Sequence, residues 1–163
     1  MKYRRFTQNE LRTLEPEFVR FLALNGIPAD EWVRIKTTDD QKVEELIEQF
    51  SDAIFERTLR ELEYLEFHEP KDIKTFHCQK EKIVLVGLIL DGESEFDFTT
   101  PNSLEPALQK MRKGEIQLKV YTAEKGYRNG DREAELFRMI ENGASISKDG
   151  KLYKALALQL ENN

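Results

Sequence analysis

One cysteine, two histidines and one tryptophan stand among the 163 residues. A single thiol cannot close a disulfide within the chain, so the fold must rest on its core, and a reducing cytoplasm is the expected compartment. Long apolar runs are missing too. The longest, Ile83 to Leu90, is about a third of what a bilayer-spanning helix needs. The opening stretch MKYRRFTQNELRTLEPEF lacks the apolar region of a signal peptide. A soluble, cytoplasmic protein with no membrane association is therefore expected. Positive charge is in deficit: 31 acidic side chains face 25 basic ones, for a net charge of −6. The deficit is local, since residues 71–163 carry 15 of each sign and residues 1–70 carry 16 acidic against 10 basic. An electrostatic grip on nucleic acid is disfavoured, and any acidic face belongs to the first part of the chain. The length suffices for one core without a structural metal, so no cofactor is required for stability.

What is present reads first as helix. Thr7 and Glu10 have capping-box spacing, Phe6 and Leu11 bracket that cap, and Leu11, Leu14, Phe18, Phe21 and Leu22 form a stripe. One helix is expected from this cap to about Leu24, stopped by Gly26 and Pro28. A short turn over Asp30 to Lys36 follows, then a long helix from about Asp39 to Leu62. The long helix carries Val43, Leu46, Ile47, Phe50 and Ile54 on one face, with Phe55, Leu59 and Leu62 rotated from it. Its first half is expected on the first helix and its second half on a sheet.

From Tyr64 the period becomes that of strands: Tyr64 to His68, Ile73 to Cys78, Ile83 to Leu90 and Ser94 to Phe98, with Asp91-Gly92 as a hairpin signal. Ile83 to Leu90, apolar on both faces, is the expected central strand. Leu104 to Lys113 reads as a helix with Ser103 as cap, Ile116 to Val120 as a half-buried strand, and Arg132 to Asn142 as a helix capped by Asp131. Leu152, Leu156 and Leu160 fit either a helix or a strand. The expected fold is α+β in a single domain, 1–163. Residues 1–63 form a helical layer of one medium and one long helix packed on a mostly antiparallel sheet, and residues 64–163 form the α+β part with further helices.

Three stretches carry a family resemblance: Tyr3-Arg4-Arg5-Phe6-Thr7 with Glu10-Leu11, Phe50-Ser51-Asp52 leading to Glu63-Tyr64-Leu65-Glu66, and Pro70-Lys71-Asp72-Ile73-Lys74 before Phe76-His77-Cys78. Together they resemble a small bacterial family known as a domain of unknown function, over roughly the first half of the chain. The resemblance implies no activity, cofactor or catalytic residue.

Candidate chemistry is sparse. His68, His77 and Cys78 are the only residues of their kinds and lie within eleven positions. On a strand His77 and Cys78 point to opposite faces, whereas His68 and His77 could approach each other across a turn at Glu69 to Asp72, giving a metal or hydrolase candidate. Glu44, Glu48, Asp52 and Glu56 recur every four residues on the long helix. Their mutual repulsion costs about 1 kcal/mol in an isolated helix, which a basic docking partner or Lys42, Arg57 and Arg60 would offset. Asp91, Glu93, Glu95 and Asp97 alternate as a polar strand face. Arg128 and Arg132, in the loop Lys125 to Arg132, are anion-binding candidates at a helix start. Lys2, Arg4 and Arg5 pair with the acidic helices or form a nucleic-acid arm. The leading expectation is a non-enzymatic interaction or regulatory module that presents an acidic helical face to a basic protein. A small metal-dependent or Cys/His hydrolase centred on His68 and His77, and an RNA-associated accessory protein, are the alternatives.

Overall fold

A computed structural model describes residues 1–161. The fold is α+β, and the chain divides into two compact units, Met1–Arg60 and the part that begins at Glu61.

The first unit is helical: α1 (Gln8–Thr13), α2 (Glu15–Leu24), α3 (Ala29–Thr38) and α4 (Asp40–Glu61, whose last residue opens the second unit). Thr7 and Glu10 form the expected capping box on α1. The single first helix, however, is two. Pro16 has no N–H to donate and its ring collides with the carbonyl four residues back, so the chain breaks at Leu14 (φ −99°, ψ 16°) and restarts with Pro16 in the first turn of α2. Phe50 of α4 anchors this unit, 1% exposed, with the rings of Phe18 and Phe21 at 5.0 and 5.5 Å. Trp32 of α3 sets its edge against Phe18 at 5.3 Å. Phe55 stacks on Phe6 at 4.8 Å and lies 5.7 Å from Tyr3. At Phe55 the stripe on α4 meets the N-terminal segment.

The second unit is a five-stranded antiparallel sheet with helices on both faces. Its strands are β1 (Tyr64–Glu69), β2 (Asp72–Cys78), β3 (Lys82–Asp91), β4 (Gln117–Gly126) and β5 (Ser145–Ser147), in the order β4-β3-β2-β1-β5. The helices are α5 (Leu104–Arg112), α6 (Arg132–Glu141) and α7 (Lys151–Glu161). The expected central strand is interior but not central, a place taken by β2. Val86 and Leu88 of β3 are covered by Leu152, Leu156 and Leu160 of α7, and Ile73 and Leu90 by Leu104 and Ala107 of α5. Spacing by four on a covered face resolves the tail as helix, started by Asp149, whose side chain accepts the Lys151 N–H. On the opposite face α6, capped by Asp131, pairs its Glu135 with Lys125 of β4. Fully buried Leu65, Ile73, Ile83 and Leu136 each contribute about 1.5–3 kcal/mol of burial free energy.

Ser94 to Phe98 is not a strand. β3 is hydrogen-bonded to β2 on one side and to β4 on the other along nearly its whole length, so no edge remains for a return strand after Asp91-Gly92. The segment instead crosses the β1–β2 turn. The Phe98 N–H donates to the Pro70 carbonyl at 2.9 Å, the Lys71 ammonium donates to the carbonyls of Ser94 and Phe96, and the Phe98 ring enters the core.

Candidate docking site

The four carboxylates at spacing four share one face of α4, because four residues make slightly more than one helical turn. Three of them hold the chain's own N-terminal segment. Asp52 accepts two consecutive main-chain N–H groups, from Lys2 at Oδ2 (2.7 Å) and from Tyr3 at Oδ1 (2.9 Å). Glu44 takes the guanidinium of Arg5 fork-on, with Nε at 2.8 Å and Nη2 at 2.9 Å. Glu56 accepts from the Tyr3 hydroxyl at 2.5 Å, from Lys2 Nζ at 3.1 Å and from Arg60 at 3.4 Å. Glu48 makes no such direct bond to the segment but adds to the field that favours charged Arg5.

Ser51 completes the set. Its hydroxyl donates to the Ile47 carbonyl at 2.7 Å and accepts the main-chain N–H of Phe6 at 3.0 Å, at a position 0% exposed. The bound segment runs antiparallel to α4, since Lys2 and Tyr3 meet residues 52 and 56 while Arg5 meets residue 44. Between the polar anchors the Phe55 ring receives Phe6 and Tyr3, and the Arg4 guanidinium lies 5.1 Å from its centre while pairing with Glu10. These contacts set the local acidities. Hydrogen bonding to Arg5 lowers Glu44 below the ordinary carboxylate range, as hydrogen bonding to Tyr3 and then Lys2 lowers Glu56. Burial, followed by the Glu56 carboxylate, pushes the Tyr3 phenol up to about 12. Neither Ser51 nor Phe55 was expected to contact the N-terminal segment: Phe55 was read as part of the rotated apolar face and Ser51 only within a family-like stretch. A serine beside Phe50 within a buried helical stripe was the available signal.

The other candidates do not converge. β1 and β2 pair with Tyr64 opposite His77 and His68 opposite Ile73, so the two histidines share a face but stand four residues, about 13 Å, apart along it. The His68–His77 pair is therefore not formed, because the two-residue turn Pro70-Lys71 fixes the register. His77 stacks on Tyr64 at 4.8 Å and lies 5.5 Å from Tyr153. Cys78 faces the other way, 3% exposed, and burial pushes its thiol up to about 12. Among the described residues no three His, Cys, Asp or Glu side chains group as metal ligands. Arg132 faces protein rather than an anion site: its guanidinium donates to the carbonyls of Leu62, Cys78 (3.0 Å) and Gln79 (3.2 Å). Asp131 occupies the adjacent helix start by accepting the Ala134 N–H, and Arg128 is exposed on the 3-10 turn Arg128–Gly130. Asp91 pairs with Lys119 and Asp97 with Thr99, so the four acidic residues do not form one strand face. No helix among the described residues is long and apolar enough to cross a membrane.

A family profile matches residues 1–161, far beyond the half over which the sequence motifs are recognisable. The chain belongs to the family of unknown function DUF6495. No curated protein and no solved structure matches it significantly. The DUF6495 match spans both units, so the α4 strip and the sheet lie within the family's extent.

Proposed function

We propose that this protein is a non-enzymatic interaction module whose docking surface is the carboxylate strip Glu44, Glu48, Asp52 and Glu56 on α4, and whose partner presents a basic segment. One observation carries the reading: a basic segment, Lys2 to Phe6, already lies on that strip through its side chains and its main chain. A solvated acidic face would hold no ordered chain. Several of the cations that an RNA-binding role would use are engaged within the protein, Arg4 by Glu10, Arg5 by Glu44 and Lys125 by Glu135. A buried, weakly acidic Cys78 with no histidine beside it on its face offers no nucleophile. A lone buried thiol also suits the cytoplasm.

The test uses a full-length variant, Lys2→Ser/Tyr3→Pro/Arg5→Ser, in which proline removes one of the N–H groups held by Asp52 and serine removes the charged anchors. Fluorescence anisotropy with an acetylated oligo-arginine peptide is expected to show binding that weakens at high salt. Binding is expected to vanish when Glu44→Gln, Glu48→Gln, Asp52→Asn and Glu56→Gln are added. Equal binding with and without those carboxylates would refute the reading.

A further inference from the structure

The strip does more than attract positive charge, and its geometry specifies a ligand. We propose that its partner is an extended protein segment with the order basic–aromatic–arginine–arginine–aromatic, docked antiparallel to α4. Lys2-Tyr3-Arg4-Arg5-Phe6 is then the chain's own copy, held in place as a competitor. This rests on the docking role of the strip and names the class of ligand it takes.

Two sorts of anchor support the assignment. Asp52 and Ser51 read main chain: one carboxylate spans the N–H groups of two consecutive residues, and one buried hydroxyl takes a third, three residues further on. Those bonds demand an extended backbone with free N–H groups at the first, second and fifth positions and are indifferent to side chains. Glu56, Phe55 and Glu44 read side chains. Glu56 collects the first-position ammonium and the second-position phenol, Phe55 stacks with the aromatic ring of position five and meets that of position two at a tilt, and Glu44 is placed for a planar fork that lysine cannot supply. The third-position side chain, Arg4, forks onto Glu10 and lies over the Phe55 ring at 5.1 Å, so that position also favours arginine. Spacing along the segment matters as much as charge. A helix offering only carboxylates would bind any basic chain, whereas the fixed order of Glu44, Ser51, Asp52, Phe55 and Glu56 fits one register.

The cis copy sets the threshold for entry. A tethered segment competes at an effective concentration on the order of millimolar, so a partner gains the strip only by matching its anchors or when the Lys2–Phe6 segment is displaced.

The experiment titrates three acetylated peptides into the Lys2→Ser/Tyr3→Pro/Arg5→Ser protein, whose fold is checked by circular dichroism and thermal melting. The first has the sequence of residues 1–7, the second is a scramble of the same composition, and the third is the first with its tyrosine amide N-methylated. The first is expected to bind at least about tenfold tighter than either of the others, since each loses a charge-assisted hydrogen bond or the register. A Glu44→Gln version of the same protein, which keeps Asp52 and Ser51, is expected to lose the preference for arginine over lysine at the fourth position. Equal affinity for all three peptides would overturn the ligand assignment while leaving a general basic docking strip. No binding by any of them would overturn both.

Discussion

Tyr121 of β4 lays its ring directly across Gly87, its cross-strand neighbour on β3, and a Cβ on Gly87 would come within 2.2 Å of that ring. The phenol reaches on to Asp72 Oδ1 at 2.7 Å, and Asp72 in turn pairs with Lys74. A glycine in the middle of an apolar strand is otherwise a liability, since it packs nothing and loses the most backbone entropy. Gly87→Ala is expected to expel the ring and break the Asp72 bond, costing about 1–3 kcal/mol. In a Tyr121→Ser background the same substitution should cost far less. A double-mutant cycle by chemical denaturation measures the difference, and additive effects would contradict the packing assigned here.

His68 clamps the 92–103 segment. Its Nδ1 faces the Phe98 carbonyl at 3.2 Å and its Nε2 faces Glu66 Oε1 at 3.0 Å. Both partners only accept, so both bonds form only when the imidazole carries two protons. Hydrogen bonding to Glu66 raises its pKa above the ordinary 6.5, against the opposing effect of burial. A raised folded-state value means that this contribution is fully present below about 6.5 and is lost as pH rises through the higher folded value. Hydrogen exchange at Phe98, whose N–H meets the Pro70 carbonyl, should quicken across that window in the wild type. His68→Phe should abolish the pH dependence, and an unchanged profile would sink the clamp.

Arg132 ties together the carbonyls of Leu62, Cys78 and Gln79, with a side chain only 13% exposed. Lysine keeps the charge but not the planar array of donors. Arg132→Lys is expected to destabilise the sheet unit by about 2 kcal/mol, and Arg132→Met by more, because buried acceptors lose charged donors. Urea titrations would report both, and a neutral Arg132→Lys would argue that water satisfies those carbonyls.

Much of this architecture is written in local pattern. Thr7 and Glu10 announce a cap, Asp131 another, and the strand periods of Tyr64 to His68 and Ile73 to Cys78 locate β1 and β2 to within a residue. Local pattern misled where a non-local fact decided. Asp91-Gly92 has the chemistry of a hairpin, but β4 takes the free edge of β3 from 26 residues along the chain. Pro16 was passed over because the apolar stripe continues through it, and the break at Leu14 restores the stripe on a second helix. The acidic spacing on α4 and the basic Lys2-Tyr3-Arg4-Arg5 were both legible. Their contact was one option among two, because composition does not say where an extended segment lies. Ser51 was invisible as a contact for the same reason, since its partner is a main-chain N–H that every residue but proline offers.

The segment on α4 should respond to changes in single anchors. Ser51→Ala removes the acceptor of a buried N–H and is expected to cost about 1–2 kcal/mol. Asp52→Asn leaves one oxygen for two N–H groups and should raise the exchange rate of either the Lys2 or the Tyr3 amide while α4 stays protected. Loss of protection along the whole of α4 would show that the segment is part of the helical core rather than a ligand lying on it.

Chemical-shift mapping of the isotope-labelled wild-type protein with the residue 1–7 peptide tests the central claim most directly. A docking strip predicts perturbations centred on Glu44, Ser51, Asp52 and Phe55, with Lys2 and Tyr3 moving toward free-chain shifts as the peptide takes their place. Saturable shifts elsewhere, or none on α4 at any peptide concentration, would contradict it.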